Sequence, residues 1–407
     1  MAVRKDGAPL DILIVGGGIG GLCLAQALRR AGLPVTVHER DASPEGRRQG
    51  YRLRISPEGE EGLRACLPPR LVDLVVATSN RREAAGLMAY DEHLTEQWTP
   101  SFDDPRGDRP DRIDAVDRVT LRRILLAGLG DTVRFGSTFE RYEHRPGGRI
   151  AAHFADGGVA ECDVLVAADG VGSRVRAQLR PDDRPRDLGV RTVFSRIPRA
   201  AALAAGLPEV LRDRFSYVIG TDGHHLGLMP MVFRTPPAGA AERLWPGAGL
   251  VDAEDYYMSV FNVHRDDLGM PDAEFFALSG EELCAFVVER TAGWHPELRG
   301  VFRHALPEES FAVALRATRP VRPWEAGPVV PLGDAVHTMP PSGGVGANTA
   351  IRDAAALARA LTDAAGGARD LAGALAGYQR EMVRYATEGV EMSLRIAQWS
   401  IKKVDVA

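Results

Sequence analysis

A chain of 407 residues that is 45% hydrophobic has enough apolar material for a large buried core, in two or three domains by length. A formal net charge of -5 without a block of like charge argues against a nucleic-acid partner. No apolar run reaches membrane-spanning length and no leader-like segment precedes residue 11, so no membrane partner and a cytoplasmic location are expected. The four cysteines, Cys23, Cys66, Cys162 and Cys284, match no zinc or iron–sulfur spacing; they read as free thiols, and no metal is expected.

The first predicted element is a strand over 11–15, DILIV. The turn Gly16-Gly17-Gly18 follows, then a helix from Ile19 to Arg30 that Gly32 stops. A second strand over 35–39 ends in Glu39, beside Arg40. Gly16, Gly18 and Gly21 thus form GxGxxG in a strand–turn–helix context. The first glycine allows a tight turn, the second lets a pyrophosphate approach the backbone, and the third permits close helix packing. The helix start offers free N–H groups to phosphate, and the Glu39 carboxylate suits ribose hydroxyls. The motif serves NAD and FAD alike. Glu39 argues against a 2′-phosphate at this position, since two anions repel.

Residues 51–110 are mixed, with helical character over parts of 58–76. The run 100–112, PSFDDPRGDRPDR, reads as an exposed excursion, and a helix returns over 118–129. Strands are predicted over 138–144, 150–154 and 159–168, separated by glycine turns. The last ends in DVLVAADG and delivers Asp169 and Gly170 into a loop, with Ser173 and Arg176 close behind. β-prone pieces at 214–219, 225–232, 256–264 and 310–317 alternate with helical or Pro-rich pieces such as 279–290, which suggests a second domain built on a sheet. A short apolar strand over 329–333 leads into Gly333-Asp334-Ala335-Val336-His337 and Pro340. Gly343, Gly344, Gly346, Ala347 and Asn348 then open a long helical region over 347–399, interrupted near Gly366-Gly367. Asp334 can accept from a ribityl hydroxyl, and the glycine N–H groups can face the O2 end of a flavin. Asp353 can serve the flavin or tie down the glycine loop.

These three constellations, in this order, resemble those of the group A flavoprotein monooxygenases, the para-hydroxybenzoate hydroxylase-like family, and look closest to its tetracycline-modifying and actinobacterial branch. GxGxxG with Glu39 resembles the family's ADP-binding motif, Asp163 to Arg176 its DG motif, and Gly333 to Pro340 its GD motif. Arg118 and Arg48 (or Arg47) resemble two arginines that contact FAD. The resemblance implies an α/β fold with a Rossmann-like FAD-binding domain of the glutathione reductase type (1–73, 112–180 and 318–407), including C-terminal helices. It also implies a β-sheet-based substrate domain (74–111 and 181–317).

The activity so implied is NAD(P)H- and O2-dependent hydroxylation of a phenolic or aromatic polyketide-like molecule through a C4a-hydroperoxy-FAD. FAD is the resident cofactor, and NADH or NADPH a transient donor, in a monomer or homodimer. Baeyer–Villiger insertion, epoxidation or a non-oxygenating reductase would use the same motifs. His225 is the first candidate for a base or a substrate contact, with Tyr217 and Arg214 as further catalytic candidates. Phe215, His225, Met229, Met258 and Phe261 are candidates to line the substrate pocket.

Overall fold

The computed structural model describes residues 10–44, 46, 51–81, 87–99, 106–107, 109–401 and 403–405. Its organising element is a five-stranded parallel sheet in the order Val329–Pro331, Val164–Ala167, Ile12–Val15, Val35–His38, Val133–Arg134. Ile12–Val15 is buried on both sides, which explains its unbroken apolar run. Ile12 and Ile14 face the layer containing helices Ile19–Arg30 and Gly346–Ala365. Leu13 and Val15 face a three-stranded antiparallel sheet of Phe139–His144, Ile150–Phe154 and Val159–Cys162.

The second large sheet has seven strands, in the order Phe311–Ala317, Arg186–Pro198, Tyr256–His264, His225–Met231, Phe215–Ile219, Leu87–Tyr90, Glu96–Gln97. Its period-two alternation separates two faces. Val218, Leu226, Leu228, Tyr257 and Phe261 pack with residues of helices Gly280–Arg290 and Pro296–Phe302, whereas Phe194, Met229, Met258, Val260 and Phe311 form a separate cluster on the opposite side. Helices Gly346–Ala365 and Leu371–Ser400 complete the chain's helical region, broken where Gly367 adopts φ +75°.

Several elements differ from the sequence expectation. The strand expected over 159–168 is two strands in different sheets, Val159–Cys162 and Val164–Ala167, because the chain switches partners at Asp163. The helical stretch near 58–76 is two helices, Pro57–Cys66 and Pro69–Thr78, divided at Leu67-Pro68. Arg186–Pro198 is a 13-residue central strand that apolar patterning does not reveal. Its Arg191 is buried, but its guanidinium is held by Asp187 at 2.8 Å and Asp272 at 2.8 Å, and Gly189 at φ +73° marks an irregular register against Phe311–Ala317. The excursion expected over 100–112 is not wholly exposed. Arg106 is enclosed and donates to Glu60 at 3.0 Å and to the Ile113 carbonyl at 2.7 Å. The paired charge, rather than apolar content, holds Arg106 inward. Cys23, Cys66 and Cys162 are buried free thiols, and Cys284 is half-buried. No helix among the described residues is long and apolar enough to cross a membrane.

Candidate functional site

A cavity of about 660 Å³ runs between the parallel sheet and the aromatic face of the seven-stranded sheet. Gly16 sits at φ +110°, and a Cβ there would stand 2.3 Å from the Ala168 carbonyl oxygen. The turn therefore lies directly against the loop that carries Asp169. A Cβ on Gly21 would stand 2.2 Å from the Gly16 carbonyl oxygen, whereas Gly18 has open space around it and lines the cavity. These are three different uses of glycine in one motif. Helix Ile19–Arg30 begins without a side-chain cap, so its first N–H groups are left for a ligand or solvent.

Glu39 lines the cavity and is fixed there by two backbone donors. Gly17 N–H donates to Oε2 at 2.6 Å and Asp41 N–H to Oε1 at 2.9 Å. Arg122, which the sequence reading did not single out, braces the same turn by donating to the Gly17 carbonyl at 3.1 Å and the Pro44 carbonyl at 2.7 Å. Asp169 accepts from the backbone N–H of Arg174 at 2.9 Å through Oδ2, while its buried Oδ1 has no partner among the described residues. Burial pushes its carboxyl up, against the pull of nearby hydrogen-bond donors. Asp334 turns toward the cavity, and its carboxyl is also pushed up by desolvation, opposed by the charges of His337, Arg118 and Arg176.

Arg40, Arg118, Gly170, Gly333, Pro340, Gly344, Gly346 and Ala347 line the same space. Arg118 also lies over the Tyr51 ring, 5.2 Å from its centroid. Arg176 does not line it. Its guanidinium donates to the carbonyls of Val171 at 2.9 Å and Ala335 at 3.3 Å, joining the two aspartate loops from behind. Gly343 and Asn348 are likewise outside the lining. Asn348 clamps the glycine loop, donating to the Gly344 carbonyl at 2.6 Å and the Arg54 carbonyl at 2.9 Å. Arg47 and Arg48 lie outside the described residues.

At the other end the wall is aromatic. Tyr51, Phe194 and Phe311 form a stack, with centroids 5.1 Å and 5.4 Å apart, that composition did not reveal. Phe215, Tyr217, His225, Met229 and Met258 line the cavity, and Asn262 joins them. Phe261 does not. It is three residues from Met258 and therefore points to the opposite, helix-covered face. Arg214 is also off the lining, and its charge acts on Tyr90 in the core of that other face.

Burial pushes the Tyr217 phenol up, opposed by the Gly343 N–H of the glycine loop and the Arg54 charge. His225 is buried, and burial pulls its imidazole down to about 3. A base that weak cannot hold a phenol's proton at neutral pH. Among the described residues, no group of three or more His, Cys, Asp or Glu side chains could hold a metal ion.

Two segments match known families: residues 14–75 a NAD(P)-binding Rossmann-like domain, and residues 301–393 a FAD binding domain. A solved structure from Photorhabdus luminescens, described as an FAD-containing monooxygenase, is 31% identical, superposes with a TM-score of 0.80, and is matched over 97% of this chain and 99% of its own. The chain belongs to the FAD-dependent monooxygenase family. It belongs to the para-hydroxybenzoate hydroxylase-like superfamily. The dual O-methyltransferase/FAD-dependent monooxygenase elcB of Phaeosphaeria nodorum is 30% identical over 98% of this chain, but the match spans only 47% of that protein. This monooxygenase thus spans about half the length, or less, of the first dual-function relatives it matches. The aurachin C monooxygenase/isomerase of Stigmatella aurantiaca is 28% identical over 96% of this chain and 89% of its own.

The residues present fit FAD. The open approach at Gly18, the orphaned Asp169 Oδ1 and the cavity-facing Asp334 supply one N–H-rich cradle and two acceptors for hydroxyl donors.

The monooxygenase should lose stability in acid through two buried histidines. His38, stacked on Phe154 and bonded to Ser137 at 2.7 Å, is lowered to about 4, chiefly by burial and then by Arg134; His225 is lowered to about 3 by burial. Both bind a proton more readily when unfolded, where the value is 6.5. Their contribution to stability is therefore complete above pH 6.5 and falls as pH drops toward 4 and then 3. Well inside that window each histidine costs about 1.4 kcal/mol per pH unit. Urea midpoints from pH 7 to 4.5 should show the decline, and the double variant His38→Gln/His225→Gln should flatten it. An unchanged slope in that variant would refute the assignment.

Proposed function

We propose that the monooxygenase catalyses NAD(P)H- and O2-dependent hydroxylation of a phenolic or aromatic polyketide-like ring, as the tetracycline-modifying branch of its superfamily would. The observation that carries this reading is one continuous cavity, which joins the Gly16–Gly21 turn, Asp169 and Asp334 to the aromatic wall of Phe194, Phe215 and Phe311. Residues 1–73, 112–180 and 318–407 would serve the cofactor, and 74–111 with 181–317 the substrate.

In this assignment, Gly16, Gly18 and Gly21 receive the pyrophosphate, and Glu39 and Arg40 the ribose. Asp169 and Asp334 accept from cofactor hydroxyls, with Gly170 and Gly333 shaping their loops. Arg118, together with the loop Pro340, Gly344, Gly346 and Ala347, borders the ring system. Bound FAD, once reduced by the nicotinamide, supplies the activation of O2 and the transfer of one oxygen atom to an electron-rich carbon. The chain's own residues do the rest. Tyr51, Phe194, Phe215, Met229, Met258 and Phe311 form an apolar wall that admits a flat ring and displaces water. Tyr217 packs against Phe215 in that wall and shares the cavity with the glycine loop. Pairing of the substrate's oxygen with a polar group at His225 and Asn262 fixes which carbon is presented.

Incubation of holoenzyme with NADH or NADPH, a panel of phenolic and polycyclic rings and ¹⁸O₂ tests the reading. The expected result is substrate-stimulated oxidation of the nicotinamide and a product heavier by one labelled oxygen. Product formed without label would overturn it in favour of a reductase.

Asp334→Ala should weaken FAD retention by about ten- to a hundredfold, the effect of losing a hydrogen bond to a charged acceptor, while far-ultraviolet circular dichroism stays unchanged. Flavin titration of the apoprotein reads this out, and an unaltered affinity would remove Asp334 from the cofactor site.

A further inference from the structure

We infer that His225 is a fixed hydrogen-bond donor: Thr192 and Asn262 hold its Nδ1 as an acceptor and leave Nε2–H at the cavity wall for a carbonyl or phenolate oxygen of the substrate ring. Thr192, Asn262 and His225 stand side by side on three adjacent strands, in register with one another. Thr192 Oγ1 lies 2.6 Å from Asn262 Oδ1, and Asn262 Nδ2 lies 2.8 Å from His225 Nδ1. All three residues are buried.

The orientation of the Asn262 amide sets the direction of this chain. The Thr192 hydroxyl has the Asn262 oxygen as its acceptor, so Asn262 presents its NH₂ to the imidazole. The opposite amide orientation would make the Thr192 hydroxyl accept from the amide, taking the acceptor from its own buried proton and leaving the imidazole Nε2 bare. With Nδ1 accepting, the neutral ring carries its proton on Nε2. That nitrogen has no partner among the described residues and is shielded from solvent, while His225 is one of the residues that line the cavity.

The surroundings keep the ring neutral. Burial accounts for its weakened basicity, and no charged group among the described residues acts on it. The titratable group facing it is Tyr217, 4.6 Å away between ring centroids; burial raises that phenol, and Arg54 acts on Tyr217 as the nearby cation. His225 therefore cannot accept a proton from the substrate in the working pH range. It can polarise a carbonyl or hold an already ionised phenol, and it disfavours a ring that offers only a donor at that point. This deepens the hydroxylation reading above and rests on it for the nature of the ligand. Thr192 and Asn262 are positioning residues that act through His225.

The tautomer is measurable without turnover, so it stands or falls separately from the activity. Holoenzyme labelled with ¹⁵N-histidine, with His225→Gln used to assign the resonance, should show His225 protonated at Nε2 and bare at Nδ1, unchanged from pH 8 to 5. A proton on Nδ1, or a titration midpoint between 6 and 7, would overturn the inference. Asn262→Asp places a carboxylate opposite Nδ1 and should move the proton there; retention of the Nε2–H form would show that the relay does not set the tautomer. In turnover, His225→Gln keeps an N–H donor near the same point and should stay within about tenfold of the parent. His225→Ala should lose about ten- to a hundredfold with flavin reduction unimpaired. Equal losses in both variants would contradict a donor role.

Discussion

Asp353→Ala is expected to destabilise the monooxygenase by about 3–5 kcal/mol, the range for removing one partner from a buried charged pair, and to release its flavin. Asp353 Oδ2 accepts the Gly333 N–H at 2.7 Å and His337 Nε2 at 2.6 Å, and Oδ1 accepts the Tyr385 hydroxyl at 2.6 Å. Asp353 and His337 are wholly buried. Burial by itself would lower the His337 imidazole, but the Asp353 carboxylate outweighs it and raises the value. Alanine leaves three donors dry and unsatisfied at once, and it frees the Gly333 loop from helices Gly346–Ala365 and Leu371–Ser400. Asp353→Asn keeps the shape and one acceptor, so its loss should be intermediate. Urea unfolding of each apoprotein, together with flavin content after gel filtration, decides the matter. If Asp353→Ala unfolds at the parental midpoint and stays yellow, the network does not hold the loop.

Gly16→Ala should be the most damaging substitution in the cofactor turn. The residue sits at φ +110°, and its Cβ would meet the Ala168 carbonyl oxygen at 2.3 Å and the Asp169 nitrogen at 2.9 Å. These are backbone atoms of the neighbouring strand's exit, so no side-chain rotation relieves the overlap. Strain and overpacking together cost about 2–5 kcal/mol. The two loops must part, which separates the turn from Asp169. Gly18→Ala is the control: its Cβ meets no protein atom within 4 Å. It should fold like the parent and lose only cofactor affinity. Equal melting temperatures for Gly16→Ala and the parent would contradict this account.

The contrast between those two glycines shows what the sequence makes legible. Gly16, Gly18 and Gly21 are readable because their spacing is dictated by backbone geometry in a single local unit. Asp169 and Asp334 are readable because each follows a short apolar strand that the sheet brings to the same edge. Residues whose work depends on register between distant strands are not readable in this way. Thr192, Asn262 and His225 align only once three strands pair, and Arg186–Pro198 carries an arginine where an apolar residue would have announced a strand. Tyr51, Phe194 and Phe311 come from three separate stretches and meet only in the folded wall. Alternation alone, counted from Met258, would have assigned Asn262 to the cavity and Phe261 to the helical face. Arg176 and Asn348 were identified from their motifs, but their hydrogen bonds to carbonyls make them braces behind the cavity.

The parallel sheet has a consequence for how the protein is made. Ile12–Val15 is flanked by Val164–Ala167, which in turn requires Val329–Pro331 at its outer edge. At about 5–20 residues per second on the ribosome, the first strand waits some tens of seconds for its final layer partner to emerge. During that interval Val164–Ala167 presents an open, apolar edge to other nascent chains. Slower translation downstream of residue 167, or a deficit of chaperones, should therefore reduce the yield of soluble protein before it alters the finished enzyme.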